Sequence, residues 1–192
     1  MKGIDVSENN EKVNWDAVAA AGMEFAIIRL GYGHGHLDSK FYENVNAAIA
    51  AGLKIGVYYY SYALSKTDAD YEAQFVIDIL NDCGLTADKL PMGVWFDMEG
   101  NEYKTNNGLT DSQEITNICS VFINKLWKNG FNNTGLYANL DWMLNVIYVD
   151  QLGQCPLWLA EYNDVCDLSC DIWQYTSRGE IGDALFDFNV TM

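Results

Sequence analysis

Basic residues are scarce in this chain. Eleven Lys and Arg stand against 27 Asp and Glu, a formal net charge of −16 over 192 residues. Gripping nucleic-acid phosphates takes clustered cations, and so does docking on an anionic bilayer; neither partner is expected. A polymer bound here would be held by hydrogen bonds and aromatic faces. Proline is also rare, with two residues, and no Pro/Gly/Ser-rich linker, low-complexity tract or fixed-period repeat appears. A single domain over 1–192 is therefore expected, and as a monomer. No apolar run reaches membrane-spanning length. The opening "MKGIDVSENN" lacks the apolar stretch of a signal peptide, so a protein acting outside a cell would leave by another route or after trimming. There is no GxGxxG opening a helix and no GxxxxGK[ST], which argues against a nucleotide site. No CxxC pair occurs among the five cysteines. Cys166 and Cys170 are four apart without a nearby His, so they read, like the others, as reduced and mostly buried thiols rather than a zinc site or disulfide.

What the chain does have is apolar content, 49% of residues, enough for a sizeable core. Short apolar runs alternate with helical patterns. Strands are predicted at 2–7, 24–32, 54–62, 93–99, 134–139, 156–162, 170–176 and 184–190. Helices are predicted at 14–22 (Asn14 cap, Gly22 stop), 38–52 (Asp38 or Ser39 cap), 67–84 and 110–130 (Thr110 or Asp111 cap, Gly130 stop). The alternation implies an α/β fold with a parallel sheet. Eight strands with connections too short for helices near the end imply an irregular TIM-like barrel, its helices reduced in the C-terminal third. A doubly wound open sheet is the alternative, and the missing phosphate loop argues against it.

In such a barrel, chemistry sits at the C-terminal ends of the strands, and four acids fall there. Asp5 ends the first strand, Asp97 and Glu99 end "GVWFDMEG", and Asp187 lies in the eighth strand, a neighbour of the first. Asp97 and Glu99 share one strand face, their Cα atoms roughly 6.5 Å apart. Burying charge is costly without compensation. Paired carboxylates are what glycoside hydrolysis requires, one staying protonated because its neighbours raise its pKa. Solvated strand-end acids are the bland alternative. A divalent-metal site is another, but no His or Asn is placed to complete it, and neither metal nor cofactor is expected. Tyr58, Tyr59, Tyr60 and Tyr62 crowd the end of the third strand, and Trp95, Tyr137, Trp158, Tyr162, Trp173 and Tyr175 recur later. Such rings suit the apolar faces of pyranoses, although alternation sends about half of them into the barrel wall. Arg29 is a cation inside an apolar strand, for which the acid cluster would supply a partner, either structurally or beside substrate. His34 and His36 in "GHGH" read as an exposed loop.

These stretches together resemble the glycoside hydrolase family 25 lysozymes, the N-acetylmuramidases of bacteria and phages. The resemblance rests on "GIDVSENN", "FAIIRLGYGHGHLDSKFYENVNAAIAAGLKIGVYYYSYA", "VWFDMEG", "GLYAN", "LWLAEY", "IWQYT" and "FDFNV". It implies an α/β barrel short of eight regular repeats, and hydrolysis of the β-1,4 bond between N-acetylmuramic acid and N-acetylglucosamine in peptidoglycan, at the bacterial cell wall. It implies Glu99 as general acid and Asp97 as the carboxylate that orients the 2-acetamido group or stabilises charge. Asp5 and Asp187 would support them, and Met98 would face the wall. Tyr60, Tyr62, Tyr137 and Trp158 match groove positions, and Arg29 and Tyr162 complete the expected substrate contacts. No cell-wall-binding segment is read in the chain. A chitinase-like hydrolase and a non-catalytic glycan-binding barrel are the competing readings.

Overall fold

In the computed structural model, which describes residues 1–10 and 12–192, the period-two alternation of each strand decides which side chains enter the barrel. On β1 (Lys2–Val6), Ile4 and Val6 join the outer core, whereas Asp5 points in. On β2 (Phe25–Tyr32), Ala26, Ile28 and Leu30 face out, and Phe25, Ile27 and Arg29 face in. The same rule holds on β4 (Lys54–Tyr60), β5 (Val94–Asp97), β6 (Thr134–Asn139) and β7 (Leu157–Ala160), which send Tyr58, Trp95, Tyr137 and Trp158 inward.

β1 pairs parallel with β2, and the ladder runs on through β4, β5, β6 and β7 to β8 (Ile172–Ile181). β9 (Ala184–Thr191) pairs with both β8 and β1, closing the eight-stranded barrel. β9 departs from the expected parallel sheet. Only Gly182 and Asp183 separate it from β8, and such a tight turn makes an antiparallel hairpin where a parallel strand needs a crossover of a dozen residues. Gly182 has φ 61°, a conformation that a two-residue hairpin turn demands. β3 (His36–Leu37) hooks antiparallel onto β2, so "GHGH" is partly strand rather than wholly loop.

Helices cover the outside of the first two thirds. They are α1 (Trp15–Ala20), α2 (Phe41–Ala50), α3 (Lys66–Asp82), α4 (Glu102–Asn106) and α5 (Ser112–Lys128). Asn14 and Asp111 cap α1 and α5 as expected. Ser65 caps α3, which begins one residue ahead of the expected start. α2 begins at Phe41 after Lys40, without a side-chain cap; Asp38 Oδ1 accepts the Lys40 N–H just ahead of the helix, and its Oδ2 is held by Arg29. α5 buries Ile115, Ile118, Cys119, Phe122, Ile123 and Leu126 at helical spacing against the sheet. After β6 only a π-helical turn (Trp142–Val146) and a 3-10 turn (Val149–Leu152) remain, so the helices do thin out in the last third. Among the described residues no helix is long and apolar enough to cross a membrane.

The barrel is not a pore. Phe25, Ile27, Met92, Trp95, Trp158 and Ile172 fill its lower half. Glycine makes room for them: a Cβ on Gly135 would lie 2.6 Å from the Trp95 ring and closer still to the Pro156 carbonyl. Above that plug, polar side chains gather at the mouth, where the strands end.

Candidate active site

Above the Trp95–Trp158 plug lies a cavity of about 290 Å³ lined by Asp5, Arg29, Tyr58, Tyr60, Asp97, Glu99, Tyr137, Trp158, Tyr162, Gln174 and Asp187. All four expected acids meet there. Asp5 and Asp187 stand opposite each other in the β1–β9 register. A wider groove of about 710 Å³ runs beside the β8–β9 turn, where Asp183 is the one carboxylate among the described lining residues.

Asp5 is held by a chain of donors whose sense can be read off. The Trp158 indole N–H can only donate, and it does so to Asn189 Oδ1 at 2.8 Å. The Asn189 amide N–H₂ therefore faces Asp5 Oδ2 at 2.8 Å. Gln174 donates to the same oxygen at 2.8 Å and accepts from the hydroxyls of Tyr137 (2.9 Å) and Tyr162 (3.1 Å). Despite these two donors, burial and the nearby Asp187 carboxylate push Asp5 up to about 8. β8 breaks register immediately after Gln174, as bulges beside functional sites often do.

Asp97 is 6% exposed, and its Oδ1 has no hydrogen-bond partner among the described residues. Burial, then the Glu99 charge, raises it well above the usual carboxylate range. Glu99 is raised by burial and by Asp187, with Lys104 opposing. Asp187 is raised by burial. Crowding and poor solvation favour the protonated form of a carboxyl, which is the direction a proton donor needs.

Lys104 is the counter-charge that the sequence reading misses. It sits on α4, one turn beyond Glu99, and is only 1% exposed. Its Nζ donates to the carbonyls of Ser61 (2.7 Å) and Glu99 (2.8 Å) and lies 5.6 Å from the Tyr60 ring centre. Burial lowers its pKa, while Asp97, Glu72 and Glu99 hold it up. It ties the ends of β4 and β5 together directly behind the acid pair.

Two expected placements are corrected. Arg29 lines the cavity, but its ion pairs go to Asp38 (Nε–Oδ2, 2.8 Å) and Glu8 (3.0 Å) rather than to the acid cluster, because those carboxylates follow β3 and β1 on its own side of the barrel. Tyr62 does not line the cavity. It stacks on Tyr103 and leans edge-on against Tyr60, both 5.4 Å away, because the chain has left β4 by then. Tyr60, Tyr137, Trp158 and Tyr162 do line the cavity. Tyr59 faces outward against Phe75 and Phe122, and Met98 is buried in the wall as expected. Tyr58, one of the strand-end aromatics whose facing was open, is two before Tyr60 and lines the cavity; of the residues missed, Asn189 is two after Asp187, so strand alternation marks it. Gln174 is a polar residue in the apolar run "DIWQY". His34 bonds Tyr103 Oη at 3.1 Å, and His36 stacks on Tyr32. Among the described residues no group of three or more His, Cys, Asp or Glu could hold a metal ion.

Residues 4–184 match the sequence profile of the glycosyl hydrolases family 25. The chain belongs to this family. It is 26% identical over 192 aligned residues to the autolytic lysozyme of Clostridium acetobutylicum, covering 94% of this chain and 52% of that protein. It is 27% identical over 194 aligned residues to lysozyme M1 of Streptomyces globisporus, covering 95% of this chain and 64% of that one. The chain thus spans between half and two thirds of the length of these family 25 relatives. The fold is that of the modular autolysin LytC from Streptococcus pneumoniae, solved with a synthetic peptidoglycan ligand. The TM-score is 0.89 at 23% identity, over 100% of this chain and 46% of that one.

Proposed function

We propose that residues 1–192 form one catalytic barrel, acting as a monomer, that hydrolyses the β-1,4 bond between N-acetylmuramic acid and N-acetylglucosamine in peptidoglycan. The observation that carries this is the convergence of Asp5, Asp97, Glu99 and Asp187 on one aromatic-walled cavity, with Glu99 and Asp97 both raised above ordinary carboxylates. The family match and the lysozyme names of its relatives supply the substrate class. A bacterial cell wall is then the place of action.

Protonated Glu99 gives its proton to the glycosidic oxygen as the C–O bond breaks. Asp97, on the same strand face, orients the 2-acetamido group or stabilises the oxocarbenium-like charge. Water completes the reaction by adding to the anomeric carbon and returning a proton to Glu99. Asp5 and Asp187 hold sugar hydroxyls or water and keep the cavity's pKa values high. Tyr137 and Trp158 offer flat apolar walls, and Tyr60 and Tyr162 the hydroxylated rim.

The test is digestion of Gram-positive peptidoglycan by the parent and by Glu99→Gln, with new reducing ends reduced by borohydride and identified by mass. Reduced muramic acid from the parent is expected, with a loss of about 10² to 10⁴ in rate for the variant. Reduced glucosamine would make the protein a glucosaminidase. Turnover of chitin oligomers alone would favour a chitinase-like hydrolase, and binding without turnover a glycan-binding barrel.

A further inference from the structure

The chain's two C-terminal cysteines stand apart from its other three. Cys119 and Cys155 are buried in the outer core, and Cys83 ends α3. Cys166 and Cys170 lie in the surface loop between β7 and β8, half-exposed, with their Sγ atoms 3.6 Å apart. We propose that this pair is a modification site, an intramolecular disulfide that forms by exchange with a small-molecule disulfide and fastens the loop that begins at Tyr162.

The loop is already held in the closing shape. The Asp167 N–H donates to Glu161 Oε2 (2.9 Å), the Trp173 indole donates to the Glu161 carbonyl (2.8 Å), and Cys166 Sγ reaches the Leu168 carbonyl (3.2 Å). A disulfide needs the sulfurs at about 2.05 Å, so closure draws the two Sγ atoms in from 3.6 Å and gives up the Cys166 thiol's bond to the Leu168 carbonyl, while the two bonds to Glu161 stay. A metal would need further ligands, and no third His, Cys, Asp or Glu joins the two thiols among the described residues.

The exchange balances in two steps. The Cys166 thiolate attacks one sulfur of the oxidant, releasing one small thiol and leaving a mixed disulfide on Cys166. The Cys170 thiolate then displaces the second small thiol. The oxidant is reduced to two thiols, and the two cysteines lose their protons and become Cys166–Cys170.

The consequence falls on the cavity rim. Tyr162 is half-free at the surface, and its hydroxyl bonds Gln174, which holds Asp5. Closing a ring over residues 166–170 stiffens the loop beside Tyr162 and limits how far its side chain swings from that position. The cross-link itself does not depend on the hydrolase reading.

The test exposes the folded protein to oxidised glutathione, quenches with acid, and measures intact mass, thiols under denaturing conditions and peptide masses. The five thiols should fall to three, with the peptide spanning Cys166 and Cys170 about 2 Da lighter. Cys170→Ser should stall as a glutathione adduct on Cys166. The Asp167 amide should exchange more slowly with deuterium in the oxidised protein than in the reduced one. Five surviving thiols, a cross-link to Cys83, Cys119 or Cys155, or a lasting glutathione adduct on the parent would each overturn the proposal.

Discussion

The acids at the mouth were legible because strand alternation is a strict rule: one residue between Asp97 and Glu99 places both on the inner face. The same rule reaches Tyr58 and Asn189. Lys104 obeys no such rule. Nothing in "EGNEYKTN" marks its lysine as buried, because a five-residue helix has no periodicity to read and the burial comes from the α3 and α5 side of the molecule. Its charge faces Asp97 and Glu99 from one side and Glu72 on α3 from the other, with Cys119 of α5 beside it. A cation so placed lowers both members of the acid pair. Lys104→Met should therefore move both limbs of the kcat/KM–pH profile to higher pH, by about one unit or more. If the amplitude drops and neither limb moves, Lys104 acts as a brace between Ser61 and Glu99 and not through its charge.

At the level of elements, the strands were readable and their directions were not. Eight apolar runs announce eight staves, but a run has no arrow, and β9 takes its direction from the two-residue turn before it. The capping reading succeeded at Asn14 and Asp111 and failed at Asp38 and Ser39, since Asp38 spends one carboxylate oxygen on Arg29 and the other on the Lys40 N–H, one residue short of the helix. Long-range partners are invisible to local pattern. Packing between staves is equally non-local. Gly135 looks like an ordinary turn residue, yet it opens β6 where the Trp95 ring and the Pro156 carbonyl converge. Gly135→Ala should force the Trp95 indole from its bond to the Met92 carbonyl and destabilise the fold by about 1–3 kcal/mol. Urea unfolding followed by tryptophan fluorescence measures this. An unchanged midpoint would mean that β6 and β7 part easily, contrary to the tight plug described above.

For the molecule as a whole, the question is how a chain with net charge −16 tolerates acids in its barrel. The answer lies in their protonation. Asp5 moves from 3.8 to about 8 on folding, because burial and Asp187 outweigh its two amide donors, and Glu72 moves from 4.5 to about 7, chiefly by burial. Over that range the folded chain binds more protons than the unfolded one, so stability must fall as pH rises. The contribution of Asp5 is fully present below about pH 4 and is lost as pH passes about 8. Surface carboxylates cannot mimic this between pH 6 and 8, since groups near their ordinary pKa of about 4 are already ionised there, and their repulsion is screened by salt. The melting temperature should therefore drop from pH 6 to pH 8 even in 0.5 M salt, a concentration at which the Debye length is only about 4 Å. Asp5→Asn keeps an oxygen for the Gln174 and Asn189 donors but removes the titration, so its melting temperature should fall less over the same interval, as should that of Glu72→Gln. A parent curve that is flat from pH 6 to 8, or an Asp5→Asn curve parallel to it, would mean that Asp5 is ionised in the folded barrel, and the acid cluster would then need a counter-charge beyond Lys104.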